Sequence, residues 1–147
     1  MANHKKLIIR ASKASSIVIT RNALEAECLV YVAVVNKPLK YRHGQSHIAY
    51  IGTTQAGAGR IAASAAGRAP ELLQLHGVNQ LSFFVITCSK RQNVETWKKL
   101  ETGLILTFKR VFGEPPRCNK QGKNRKWNDE LDYFTSSRLE KIIEQYS

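Results

Sequence analysis

Two short runs rich in β-branched and aromatic residues, Leu29–Val35 (LVYVAVV) and Ile48–Gly52 (IAYIG), lie close together in the chain. The polar stretch joining them, Asn36 to His47, is too short to hold a crossover helix with its turns, so the two strands pair antiparallel as a hairpin. Asn36–His47 then reads as a loop or long hairpin tip carrying Lys37, Lys40 and Arg42. The period-2 geometry of a strand places Leu29, Tyr31, Ala33 and Val35 on one face. Folding the hairpin brings Tyr31 within reach of Tyr50.

The remaining elements follow from periodicity and stop signals. After Gly52 the chain turns through TTQAGAG into RIAASAAGR, an alanine-rich segment of good helix propensity. Arg60 falls in its first turn, where free N–H groups and a guanidinium together suit a phosphate. Pro70–Leu75 reads as a short second helix ended near Gly77, and Leu81–Thr87 (LSFFVIT) as a third strand. From Asn93 to Val111 the spacing of Val94, Trp97, Leu100, Leu104 and Phe108 is helical. Glu101 borders that apolar stripe, so its carboxylate is partly shielded and still reachable. Gly113, Pro115 and Pro116 stop the helix, and the basic connection RCNKQGKNRKW follows. Phe134–Tyr146 reads as a terminal helix, capped by Thr135 or Ser136 and apolar at Leu139, Ile142, Ile143 and Tyr146. That helix packs on the core or on another subunit. Ahead of the hairpin, Leu7–Arg10 and Ile17–Thr20 read as short strands and Ala23–Glu27 as a helical turn. The expected fold is a small α/β domain with a three-stranded antiparallel sheet flanked by helices. Residues 1–28 form an extension packed on it, 29–119 the main domain, and 120–147 a basic connection and C-terminal helix.

Charge narrows the function. The 147 residues include 23 Lys and Arg against 11 Asp and Glu, a formal charge of +12. Like-sign repulsion of that size calls for a polyanionic partner, and nucleic acid is the obvious one. Between Cys28 and Asn128 only Glu71, Glu95, Glu101 and Glu114 are acidic, among sixteen Lys and Arg. A carboxylate kept in such surroundings has a candidate task. No segment approaches 18 uninterrupted apolar residues and MANHKK starts no signal-like core, so a membrane partner is not expected and the location reads as cytoplasmic, with the nucleoid. Cys28, Cys88 and Cys118 form no CxxC pair, which argues against a zinc knuckle. Cys28 and Cys88 adjoin apolar runs and read as core. His43 and His47 read as surface or phosphate-contacting groups.

Five pieces in order, VY at Val30 and Tyr31, YIG at Tyr50–Gly52, GAGRI with Arg60, LETGLI with Glu101, and PRCN ending in Asn119, resemble the GIY-YIG nuclease domain family. The resemblance spans about Leu29 to Asn119 and makes 29–119 the catalytic domain. It implies metal-dependent hydrolysis of a phosphodiester, with Tyr31, Tyr50, Arg60, Glu101 and Asn119 at the family's functional positions. The family's metal-binding glutamate corresponds to Glu101. Three departures stand out. Leu29 replaces the first motif's glycine, the interval from Tyr31 to Tyr50 is longer than in compact members, and Ser64 stands where many relatives have a histidine.

The chemistry fits these residue types. Glu101 can hold one hard divalent cation, Mg2+ (with Mn2+ an alternative), whose shell water and phosphate complete. Arg60 offers paired hydrogen bonds to phosphate, Tyr31 is the candidate general base, Tyr50 positions water or phosphate, and Asn119 braces backbone. An ordinary phenol has a pKa near 10, so Tyr31 needs nearby positive charge to serve as a base. Candidate phosphate contacts on the hairpin connection and first helix are Lys37, Lys40, Arg42, His43 and Arg68. The later basic segment adds Lys120, Lys123, Arg125 and Lys126. The leading expectation is a restriction-type DNA endonuclease leaving 5′-phosphate and 3′-hydroxyl ends. It would act on double-stranded DNA, with RNA not excluded, as a possible homodimer. The alternatives are a structure-specific repair or recombination nuclease, and a non-catalytic nucleic-acid-binding module.

Overall fold

The structure, a computed structural model, describes residues 6–15, 17–18, 27–120 and 124–147. Its elements are β1 (Leu29–Tyr41), β2 (Gly44–Thr54), α1 (Ala58–Leu72), β3 (Leu81–Ile86), α2 (Thr96–Phe112), α3 (Glu130–Tyr133) and α4 (Ser136–Tyr146). They form a small α/β domain whose three-stranded antiparallel sheet has the order β2-β1-β3 and is flanked by helices. Over Val30–Val34 the central strand β1 is paired on both sides, with β2 on one and β3 on the other.

The hairpin is longer than its sequence suggested. Most of Asn36–His47 is strand, with Leu39 opposite Ser46 and Tyr41 opposite Gly44, leaving a turn at Arg42 and His43. The lysines and Pro38 disguise the alternation, yet Leu39 and Tyr41 are buried while Lys37, Pro38 and Lys40 are exposed. Pro38 is tolerated because the ladder is irregular between Val34 and Leu39, where no N–H is required of it. The tip is pinned to the end of α2: the His43 N–H donates to the Phe112 carbonyl and the Arg42 N–H to Glu114 Oε1.

Two apolar clusters sandwich the sheet. The main one joins Val30, Val32, Ile48 and Ile51 to Leu100, Leu104, Ile105 and Phe108 of α2 and to Leu139 and Ile143 of α4. The smaller joins Leu29 and Tyr31 to Ile61 of α1. Leu29 and Tyr31 thus share a face as their alternation predicted, whereas Val35 belongs to the main cluster. Tyr41 locks the far end of the hairpin. Its ring meets Phe108 edge-on at 4.9 Å, and its hydroxyl donates to the Ile48 carbonyl at 2.6 Å. Burial first, against weaker opposition from Arg117, pushes the Tyr41 phenol up to about 12. The folded pKa lies above the unfolded value of 10, so this stability is whole below pH 10 and is lost as pH rises toward 12. The linked loss is about 2–3 kcal/mol, and Tyr41→Phe is expected to show a shallower fall in denaturant midpoint between pH 10 and 12.

Several boundaries moved. Pro70–Leu75 is no separate helix: α1 runs through Pro70 to Leu72, sacrificing one backbone hydrogen bond in its last turn, where fully buried Leu72 anchors it. Helix α2 starts at Thr96 and not at Asn93, because Asn93 has a φ of 57°, outside the helical region. Helix α4 starts at Ser136, capped by the Thr135 side chain accepting from the Arg138 N–H, and packs on the domain's own core. Helix α3 lies in a stretch read as connection. Cys118 is the buried cysteine, while Cys28 and Cys88 are half-buried. In the N-terminal extension Leu7, Ile8 and Ile9 are exposed, as are Ile17 and Val18, where packing on the core was expected. Ile19 to Ala26 lie outside the described residues, and with them half of the second short strand and most of the helical turn expected there. No helix among the described residues is long and apolar enough to cross a membrane.

Candidate active site

The hairpin register builds the site. Tyr31 pairs with Gly52 and Ala33 with Tyr50, which sets the two tyrosines diagonally across β1 and β2 on the α1 side of the sheet. Their ring centroids are 5.9 Å apart. Gly52 makes room for both: a Cβ there would lie 2.7 Å from the Tyr31 hydroxyl and 2.7 Å from the Tyr50 ring. Gly52→Ala is therefore expected to displace both rings and destabilise the fold by about 1–3 kcal/mol, as a thermal melt would read.

Helix α1 closes over the tyrosines. It begins after Gly57, whose φ of 63° lets the chain turn sharply out of β2, and it presents Arg60, Ser64 and Arg68 at intervals of four. Ser64 Oγ lies 2.6 Å from the Tyr31 hydroxyl. Ser64 thus sets a hydroxyl in direct contact with Tyr31. The Arg68 guanidinium sits over the Tyr50 ring, 4.5 Å from its centroid, a cation–π contact that no sequence signal announced. Arg60 is exposed in the first turn and close enough to act electrostatically on Tyr31.

Tyr31 is only 2% exposed. Burial is the main influence on its phenol and raises its pKa; the Ser64 hydrogen bond lowers it, Tyr50 raises it, and Arg60 has the smallest, lowering, effect. Local positive charge was expected to favour phenolate. In the protein alone burial outweighs it, and the hydroxyl keeps its proton.

Asn119 sits on the open edge of β2. Its Oδ1 accepts from the Ile51 N–H at 2.9 Å and its Nδ2 donates to the Ile51 carbonyl at 2.7 Å, while the Cys118 N–H donates to the Ala49 carbonyl. These bonds hold the strand on both sides of Tyr50. Asn119→Asp removes the donor and sets a carboxylate against a carbonyl, at an expected cost of about 1–3 kcal/mol in the denaturant midpoint. A variant with unchanged stability would show that the brace is dispensable. Beside it, burial and then the Glu71 carboxylate push the Cys118 thiol up to about 11, so it stays protonated.

Glu101 lies on α2, the helix whose Leu100, Leu104, Ile105 and Phe108 join the main cluster. Its side chain is 14% exposed, at the margin of the apolar stripe. Arg125 Nη1 approaches its Oε2 at 3.4 Å and Thr102 Oγ1 at 3.2 Å. Burial raises the Glu101 pKa, with Arg125 and then Lys98 opposing. This single carboxylate, paired with Arg125, could hold a hard cation only if water and phosphate supplied most of the other ligands. Among the described residues no group of three or more His, Cys, Asp and Glu could hold a metal, so a zinc-type site is not offered.

The other basic candidates scatter. Lys37 Nζ donates to the His76 carbonyl, and the His43 ring lies against Gly113. Tyr31 and Tyr41 are ten positions apart on β1, so Lys40, Arg42 and His43 lie up to about 30 Å from Tyr31 at roughly 3.3 Å per strand residue. Lys120 and Lys126 are exposed, and Lys123 lies outside the described residues. His47, expected at the surface, is half-buried with Nδ1 on the Val35 carbonyl at 2.7 Å.

Compared with known proteins, the chain matches no family model, no curated protein and no solved structure.

Proposed function

We propose that this protein is a divalent-metal-dependent endonuclease that hydrolyses DNA phosphodiester bonds and leaves 5′-phosphate and 3′-hydroxyl ends. The observation that carries this reading is the pair Tyr31 and Tyr50, packed over a glycine that a side chain would fill, with Arg60, Ser64 and Arg68 ranged above them. The +12 charge and the five-part resemblance to GIY-YIG nucleases support it from the sequence.

Each residue has a task in the reaction. Arg60, exposed at the start of α1, binds the scissile phosphate and neutralises charge growing on its oxygens. Tyr31 takes the proton of the attacking water, with Ser64 fixing the direction of its hydroxyl. Tyr50, steadied by Arg68 above and by the Asn119 brace behind, positions water or phosphate. Glu101 would hold Mg2+ or Mn2+, which supplies Lewis acidity to the phosphate and the leaving oxygen. Arg125 occupies that carboxylate in the free protein and passes to the DNA backbone on binding.

On the sequence alone, a restriction-type enzyme that cuts linear duplex at a fixed sequence is the leading form, acting as a homodimer for a double-strand break. End mapping tests the chemistry: products of the reaction should be ligatable without kinase treatment. Products bearing 3′-phosphate would contradict it.

A further inference from the structure

A cleft of about 670 Å³ opens beside β3, between α2, α3 and α4, and the nuclease chemistry makes no use of it. Its floor is apolar, from Leu100, Leu139 and Ile142. Lys90, Arg91 and Arg138, all exposed, stand around it, and no Asp or Glu is among the residues lining it. Tyr133 holds the Arg91 guanidinium, 5.1 Å from its ring centroid. Tyr146 lines the other side and packs against Phe84 at 4.9 Å, and Phe84 is itself 42% exposed on β3. Cations without anions, next to aromatic faces over an apolar floor, are what phosphates and unstacked bases require together.

We propose that this cleft binds unpaired, single-stranded DNA. Its phosphates would meet Lys90, Arg91 and Arg138, and a base would stack on Tyr146 beside Phe84. The volume falls within the range of small-ligand pockets, roughly 300–1,000 Å³, which admits a nucleotide or two and excludes a duplex. Paired bases present no free face to an aromatic ring, so stacking selects the single strand. The position matters as well. Val85, one of the residues lining the cleft, pairs directly with Tyr31 across the sheet, one strand spacing of about 4.8 Å away in the ladder. A strand leaving a duplex at Tyr31 can therefore round the β3 edge into the cleft, a route that favours a structure-specific nuclease acting on flaps or forks over the restriction-type form. This last step rests on the endonuclease reading; the binding of single strands does not.

Binding is read first, by fluorescence anisotropy in EDTA, with a short oligothymidylate and with a hairpin duplex at the same salt. Tyr146→Leu keeps the net charge and is expected to weaken single-strand binding about tenfold while duplex affinity stays within about twofold. Arg91→Ala with Arg138→Ala is expected to weaken single-strand binding far more than Lys6→Ala with Lys141→Ala, which removes the same charge elsewhere. All four sites are exposed, so folding is not at stake. Unchanged single-strand affinity in both cleft variants, or equal losses on single strand and duplex, would overturn the proposal. Cleavage is read second: wild type should cut a flapped duplex faster than a linear one, and Tyr146→Leu should lose that preference. Cutting without the preference overturns the flap assignment alone, and binding without any cutting overturns the endonuclease reading alone.

Discussion

Tyr31→Phe is expected to lower the turnover of DNA cleavage by about 10²–10⁴-fold, the usual worth of a positioned general base. DNA affinity should barely change. The substitution deletes one hydroxyl and keeps the ring that packs between Tyr50 and Phe83, so neither the site's shape nor the basic surface is altered. It leaves Ser64 without its partner, at a cost of about 1 kcal/mol, which a thermal melt would register as a small shift. The raised phenol pKa adds a sharper readout. A base held protonated by burial works only through its small phenolate fraction, which grows as pH climbs toward 10. The wild-type rate should therefore rise between pH 7 and 9, and Tyr31→Phe should flatten that rise. Equal cleavage by the two proteins, or profiles of equal slope, would remove Tyr31 from the base role.

Glu101→Ala is expected to reduce Mg2+-dependent cleavage to background while DNA affinity is kept or increased. The change removes a negative charge from a basic surface and frees Arg125 for phosphate. A calorimetric Mg2+ titration unchanged by the substitution would contradict the ligand role. Unfolding can be separated from loss of chemistry with Glu101→Gln. The folded pKa of Glu101 lies above its unfolded value, so the fold binds that proton more readily than the unfolded chain does. Ionised Glu101 then costs stability at neutral pH, a cost that vanishes as pH falls below the unfolded value. At pH 7 the Gln variant should melt no lower than wild type, and the difference should close in acid.

The parts of the fold legible in the sequence were those where one local signal dominates. The Leu29–Val35 and Leu81–Thr87 runs have no competing pattern, and the short connection leaves antiparallel pairing of Tyr31 and Tyr50 strands as the sterically available choice. Leu39 and Tyr41 escaped notice because an alternation of two buried residues is masked by Lys37, Pro38 and Lys40, and only pairing with β2 gives it meaning. Pro70 marked a helix boundary by its missing N–H, but the buried Leu72 two residues later outweighs that one bond. For the site, Tyr31, Tyr50 and Arg60 could be placed from strand register and the helix start. Ser64 and Arg68 follow Arg60 at intervals of four, a spacing that puts them over the tyrosines once α1 is known to face them. The stacking of Arg68 on Tyr50 and the Arg125–Glu101 pair join positions far apart in the chain, and periodicity carries no information on either.

The most direct measurement is a time-resolved digest of a supercoiled plasmid with Mg2+ and with EDTA, using wild type, Tyr31→Phe and Glu101→Ala at equal DNA occupancy. Nicked or linear product should accumulate only with wild type and Mg2+, with both variants bound to the plasmid and inactive. Binding by all three proteins with no cleavage under any condition would leave a nucleic-acid-binding module and contradict the assignment of Tyr31, Arg60 and Glu101 to catalysis.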